Sequence, residues 1–170
     1  LFCRTEGIMS VKSGAMKSPQ EGGRRLEEAA AVAANNAFAE LVHELARDRQ
    51  QAIAAIRAGF PSSVLNDAGT FFNVPIDRIR AIVGVTETTA HALVKRHAGM
   101  DPAASERLGR LADVMAMAED VFDDEEAAKI WLRTGNRTFH DRAPMDYLDT
   151  EPGAMAVRQV LNAIACGGVV

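Results

Sequence analysis

What this chain of 170 residues lacks narrows its roles before any motif is considered. It holds two cysteines, Cys3 and Cys166, far apart in sequence, so a structural disulfide is not expected and a reducing cytoplasm is. No run approaches the roughly 18 apolar residues that a membrane-spanning helix needs. The opening stretch "LFCRTEGIMSVKSGAMKSPQEGG" has no apolar centre of the kind a signal peptide carries. Aromatic residues make up only 5% of the chain, and no segment alternates apolar and polar residues with the two-residue period of a strand. Abundant alanine favours helices instead, and an all-α fold is expected.

Catalytic signatures are missing as well. There is no HExxH, HxxxH, CxxC, GxSxG or phosphate-binding glycine loop. His140-Asp141 could belong to a metal-dependent phosphohydrolase, but His43, His91 and His97 do not supply further ligands at metal spacing, so a surface turn is the simpler reading. No catalytic residue, metal or cofactor is assigned, and an enzyme is not expected.

What is present is a series of helical patterns. Residues 1–22 are polar and without periodicity, and read as a disordered arm. Over 23–59, apolar residues recur at Leu26, Ala30, Ala34, Phe38, Leu41, Leu45, Ala52 and Ile56. This spacing predicts one amphipathic helix or a broken pair closed by Gly59, either packed on the chain's own core or forming a dimer seam through Phe38, Leu41 and Leu45. Residues 60–107 divide into three short helices: one capped by Ser62 or Ser63, one opened by Pro75 with Ile76, Ile79, Ile82 and Val83 inward, and one capped by Thr86. The third turns Ala90, Leu93 and Val94 inward and ends at Gly99. Two short helices joined by a tight turn at Gly84 have the helix-turn-helix layout. In such a unit the second helix enters the major groove, which makes Thr86, Thr88 and Thr89 candidate DNA contacts, with Lys95, Arg96 and Arg78 on phosphates.

Residues 108–170 continue with a long helix through Leu108, Leu111, Met115, Ala118 and Phe122, and a further one capped at Asp123 or Asp124 and closed by Arg133. An irregular connector follows, and then a last helix capped by Thr150, with Ala154, Val157, Val160, Leu161 and Ile164 inward. Gly167-Gly168 stops that helix and leaves Val169-Val170 as an apolar tail. Charge is uneven along the chain. Residues 73–110 carry six Lys/Arg against four Asp/Glu, whereas residues 111–170 carry five against eleven. The middle can approach a polyanion; the acidic C-terminal third suits a basic protein partner.

The stretch from about Leu108 to Val170 resembles the toxin-binding domain of the Xre/MbcA/ParS-type antitoxins. The resemblance rests on an acidic helix start, the Trp131-Leu132 pair, Asn136, Arg142, Pro144, Leu148 and Thr150, Gly153, and the glycine-containing tail. The helices from about Gly59 onward resemble the helix-turn-helix of the same proteins. That resemblance implies the antitoxin of a type II module whose partner is a RES-domain, NAD-consuming toxin. It also implies direct binding to that toxin, its active site occluded by the C-terminal end, and repression of the shared operon; a homodimer and a higher toxin–antitoxin complex are expected. Asn136, Arg142, Cys166, Gly167, Gly168, Val169 and Val170 become the expected toxin contacts. Taken alone, the residues leave a second class open, a transcription regulator without a toxin, its C-terminal domain serving dimerisation.

Overall fold

Helix starts in this chain are set by short polar side chains that accept the amides of a first turn, groups that would otherwise lack partners. The computed structural model describes residues 36–167, and eight α-helices span that stretch. Asn36 begins α1 (Ala37–Arg47): its Oδ1 accepts from Phe38 N and Ala39 N, while its Nδ2 donates to Asp67 O across the core. Asp48, in extended backbone, closes α1 and caps α2 (Arg49–Ala58), so the described part of the expected amphipathic segment is the broken pair. Leu26, Ala30 and Ala34, and the whole of residues 1–22, lie outside the described residues. Phe38 is fully buried and Leu41 nearly so, and Leu45 packs against the same core. That face is therefore consumed within the chain, and the seam proposed for Phe38, Leu41 and Leu45 does not face outward.

The next three helices are α3 (Val64–Phe72), α4 (Ile76–Val83) and α5 (Glu87–Arg96). Neither expected serine caps α3 through its side chain: Ser63 sits at the cap in helical backbone without such a bond, and Ser62 is buried. Pro75 precedes the first turn of α4. Gly84 closes α4 in left-handed backbone with φ 76°, a conformation that costs a side-chain-bearing residue about 1 kcal/mol or more, and the chain turns there toward α5. The α5 helix ends at His97, also left-handed, rather than at Gly99, which instead lies in a short antiparallel bridge with Pro61. Val94 was expected inward and is 58% exposed. The reason is that no residue of α5 is fully buried, so its inner stripe is only as wide as Ala90 and Leu93.

At the centre is α6 (Pro102–Phe122), started by Asp101, whose carboxylate accepts from Ala104 N at 2.8 Å. Leu108, Leu111, Ala112, Val114, Met115 and Ala118 are all fully buried, and the helix packs on α1, α2 and α4, then on α7 (Glu125–Arg133) and α8 (Glu151–Ala165). Each large apolar side chain buried this way contributes roughly 1.5–3 kcal/mol. The boundary expected at residue 107/108 falls inside this single helix, so the two segments share one core. Asp124 alone caps α7; Asp123 ends α6 in left-handed backbone. Between α7 and α8 lie two 3-10 turns, Arg137–Phe139 and Pro144–Tyr147. Among the described residues no helix is long and apolar enough to cross a membrane.

Candidate DNA-binding and protein-binding surfaces

The outer face of α5 carries Thr86, Thr88, Thr89, His91, Val94, Lys95 and Arg96, all exposed. Thr86 Oγ1 accepts from Thr89 N at 3.2 Å and lies 2.8 Å from Thr89 Oγ1, so these two hydroxyls build the helix start. Thr88 shares the exposed side with His91 and Lys95 at helical spacing, which aligns hydroxyl, imidazole and ammonium along one edge. Sequence reasoning missed His91 and Val94 on this surface. The signal was the shortness of α5, which cannot bury a wide stripe.

The cations of the middle segment are less available than its charge suggests. Arg78 was expected on phosphate, but its Nε and Nη2 donate to the two carboxylate oxygens of Asp146 at 2.8 and 3.0 Å, and its Nη1 donates to Arg133 O. That fork-to-fork geometry is the strong form of an ion pair, and it ties α4 to the connector before α8. Arg78 is thus engaged as a structural tie, which leaves its guanidinium less free for phosphate than its charge suggests. Arg80 pairs with Asp77, Arg107 donates to Val83 O, and Arg110 is nearly buried. Lys95 and Arg96 remain as the exposed cations of the unit.

The C-terminal surface is built differently. Asn136 organises a closed loop: its N donates to Arg142 O at 3.0 Å, its carbonyl accepts from Phe139 N and Asp141 N, and its Oδ1 accepts from Thr138 N. Half-buried Asn136 therefore shapes the loop, while exposed Arg142 stacks over the Tyr147 ring at 5.2 Å. Trp131 lies only partly buried between Phe122 and Phe139, with Leu132 fully buried beside it. His140 and Asp141 follow one another in left-handed backbone, and no cluster of metal-ligating side chains exists among the described residues.

The N-terminus of α8 is clamped to α6. Arg110 Nη2 donates to both oxygens of Glu106 at 2.7 Å, and its Nη1 donates to Leu148 O at 3.1 Å. Its Nε lies 3.1 Å from Glu151 Oε2, without the alignment of a hydrogen bond. Glu151 in turn meets Arg158, which also pairs with Asp113 at 2.9 Å. Thr150 Oγ1 accepts from Gly153 N, and a Cβ on Gly153 would collide with the Tyr147 carbonyl oxygen, so only glycine lets α8 start this close to the connector. Ala154, Val157 and Leu161 are fully buried, whereas Val160 and Ile164 are only partly so. No residue from 159 to 170 has a charged side chain. Cys166 and Gly167 are exposed at the end of α8, Gly167 with φ 75°; Gly168, Val169 and Val170 lie outside the described residues.

Comparison with known families agrees with this division. Residues 51–113 match the family described as antitoxin Xre-like helix-turn-helix domain, and residues 117–167 match the antitoxin Xre/MbcA/ParS C-terminal toxin-binding domain. A protein named antitoxin Xre from Yersinia enterocolitica serotype O:8 / biotype 1B is 25% identical over 116 residues, 68% of this chain and 78% of that protein. Another antitoxin Xre, from Pseudomonas putida KT2440, is 35% identical over 79 residues, 46% of this chain and half of the relative's length. With a helix-turn-helix match followed by a toxin-binding match, together covering about two thirds of its residues, the chain belongs to the Xre-type antitoxins.

Proposed function

We propose that this antitoxin neutralises a cognate RES-domain toxin that consumes NAD, and that residues 166–170 enter the toxin's cleft. The observation that carries this reading is the build of α8. Its start is clamped by Arg110 and Glu151, its middle is buried through Ala154, Val157 and Leu161, and its last turns are uncharged and exposed. A helix held at one end and bare at the other presents its tip at a fixed place. Glycine at 167 and 168 lets the backbone approach another surface closely, and the two valines that follow fill an apolar pocket. The net acidic charge of residues 111–170 favours docking beside the basic cleft that a dinucleotide diphosphate requires.

The helix-turn-helix represses the operon of the pair in the same proposal, in the cytoplasm and as a homodimer, because two half-sites give the affinity that one module lacks. No catalytic residue, metal or cofactor of this chain takes part. Deleting residues 167–170 should leave thermal unfolding and DNA binding unchanged and weaken protection against toxin-driven NAD loss. Full protection by the truncated protein would remove the tail from the mechanism.

A further inference from the structure

A groove of about 370 Å³ opens where the Asn136 loop meets α8. One wall is formed by Phe139, His140 and Tyr147, the other by Ala156, Val160 and Ala163. We infer that this groove is the principal docking seat of the toxin, and that it receives an uncharged, apolar segment bordering the toxin's cleft. The inference rests on the toxin-neutralising reading above and adds to it where the binding energy resides.

Three observations carry it. First, no aspartate, glutamate, lysine or arginine lines the groove, although it lies in a segment with eleven acidic residues. Its lining is mainly apolar, with Thr138, His140 and Gln159 as its polar members, and the neighbouring cation Arg142 is engaged over the Tyr147 ring, so the groove offers no row of free cations to a phosphate backbone. Second, the loop wall is preformed. Tyr147 Oη donates to Phe139 O at 2.9 Å, and the Asn136 bonds hold His140 and Asp141 at φ 57° and 62°. Two consecutive non-glycine residues in the left-handed region cost on the order of 1 kcal/mol each and persist only where the surroundings over-determine them. A preformed wall spares a partner the ordering cost of binding.

Third, the groove is continuous with the segment proposed to enter the toxin. Ala156, Val160 and Ala163 stand at i, i+4 and i+7 on α8, and Ala163 lies two residues before the helix ends at Ala165, beyond which Cys166 and Gly167 are exposed. At 1.5 Å per residue the strip from Ala156 to Ala163 is about 10 Å long and reaches the last turn of α8. One body resting on the groove therefore also meets exposed Cys166 and Gly167, where the segment proposed to enter the toxin begins. A second copy of this chain would have no reason to use that continuity, and the toxin does.

Ala163 and Thr138 are exposed on opposite sides of the groove, so a larger side chain at either is tolerated by the fold. The test is calorimetric titration of the full chain with the purified product of the adjoining RES-domain gene, for wild type, Ala163→Arg, Thr138→Arg and the remote exposed control Gln51→Arg. The expected result is affinity lower by roughly 30-fold in each groove variant, the scale of a hot-spot residue, with the control and all melting temperatures unchanged. Unchanged affinity in both groove variants overturns the seat while leaving the RES reading intact. A wild-type chain that does not bind the RES protein overturns that reading and the occupant with it. Conversion of a wild-type dimer to monomer by Ala163→Arg shows a self-interface and also overturns the proposal.

Discussion

The helices α5 and α8 each offer a surface to a partner, yet they are held in opposite ways. No residue of α5 is fully buried; it rests on Ala90 and Leu93 and on caps at both ends, Thr86 at the start and His97 at the close. By contrast α8 buries three residues completely and is pinned at its start by Arg110 and its carboxylate partners. A helix that must lie along a DNA groove has to keep most of its circumference free, and can be anchored only by its ends and a narrow stripe. A helix that presents its tip can bury its whole length and stiffen. The two constructions suit lateral reading and end-on insertion respectively.

The sharpest way to break the contrast is at Gly153. Replacing it with alanine forces a Cβ into the Tyr147 carbonyl, and the start of α8 must shift. The expected loss is about 3 kcal/mol, at the upper end of overpacking costs, read as a fall of roughly 10 °C in the thermal midpoint. Toxin binding should fall with it. A variant that melts like wild type would mean that α8 is seated less tightly than its geometry indicates.

A smaller effect is expected at Arg78, whose side chain and that of Asp146 are about a quarter exposed. Arg78→Ala should cost about 1–2 kcal/mol by removing a charge-assisted, two-bond pair in a partly screened setting. Asp146→Asn should cost a similar amount, and the double variant little more than either alone. Neither should alter the salt dependence of operator binding. A reduced salt slope in Arg78→Ala would return this residue to the DNA interface.

The smallest changes in stability belong to α5. Lys95→Ala and Arg96→Ala should leave the melting temperature within the usual range of surface substitutions and lower the salt slope of DNA binding by about one unit each. Thr88→Ala should instead narrow the gap between operator and random DNA. Gel-shift titrations at several salt concentrations separate the two effects, and unchanged slopes in both cation variants would remove α5 from the groove.

Much of the helical layout was legible because caps are local. Thr86, Asp124 and Thr150 each bond an amide three residues on, a relation contained within one short window. Asp101 is a cap of the same kind, yet the long helix was expected to begin later, because Pro102 and the polar run after it hide the apolar period. Distant partners were not legible. Nothing near Arg78 points to a carboxylate 68 residues away, so its charge read as free. Val94 looked inward because periodicity gives the direction of a stripe but not its width, which depends on how much core lies beneath. The groove beside α8 was hidden for the same reason: Ala156, Val160 and Ala163 form a wall only once the Asn136 loop closes opposite them.

The two family matches meet within α6, which runs unbroken from Pro102 to Phe122. There is no linker at that point for a protease to cut, and amides on both sides of residue 110 are expected to open through the same cooperative event. Any ligand held by one half raises the cost of opening the other by RT ln(1 + [L]/Kd), about 2.7 kcal/mol at a hundredfold excess over Kd. Bound toxin should thereby slow hydrogen exchange in the DNA-binding half and lengthen its survival against degradation, which exchange measured with and without toxin would check. Under the proposed function, the lifetime of the DNA-binding half should then track how much toxin is present, carried by the continuity of one helix and needing no change of shape.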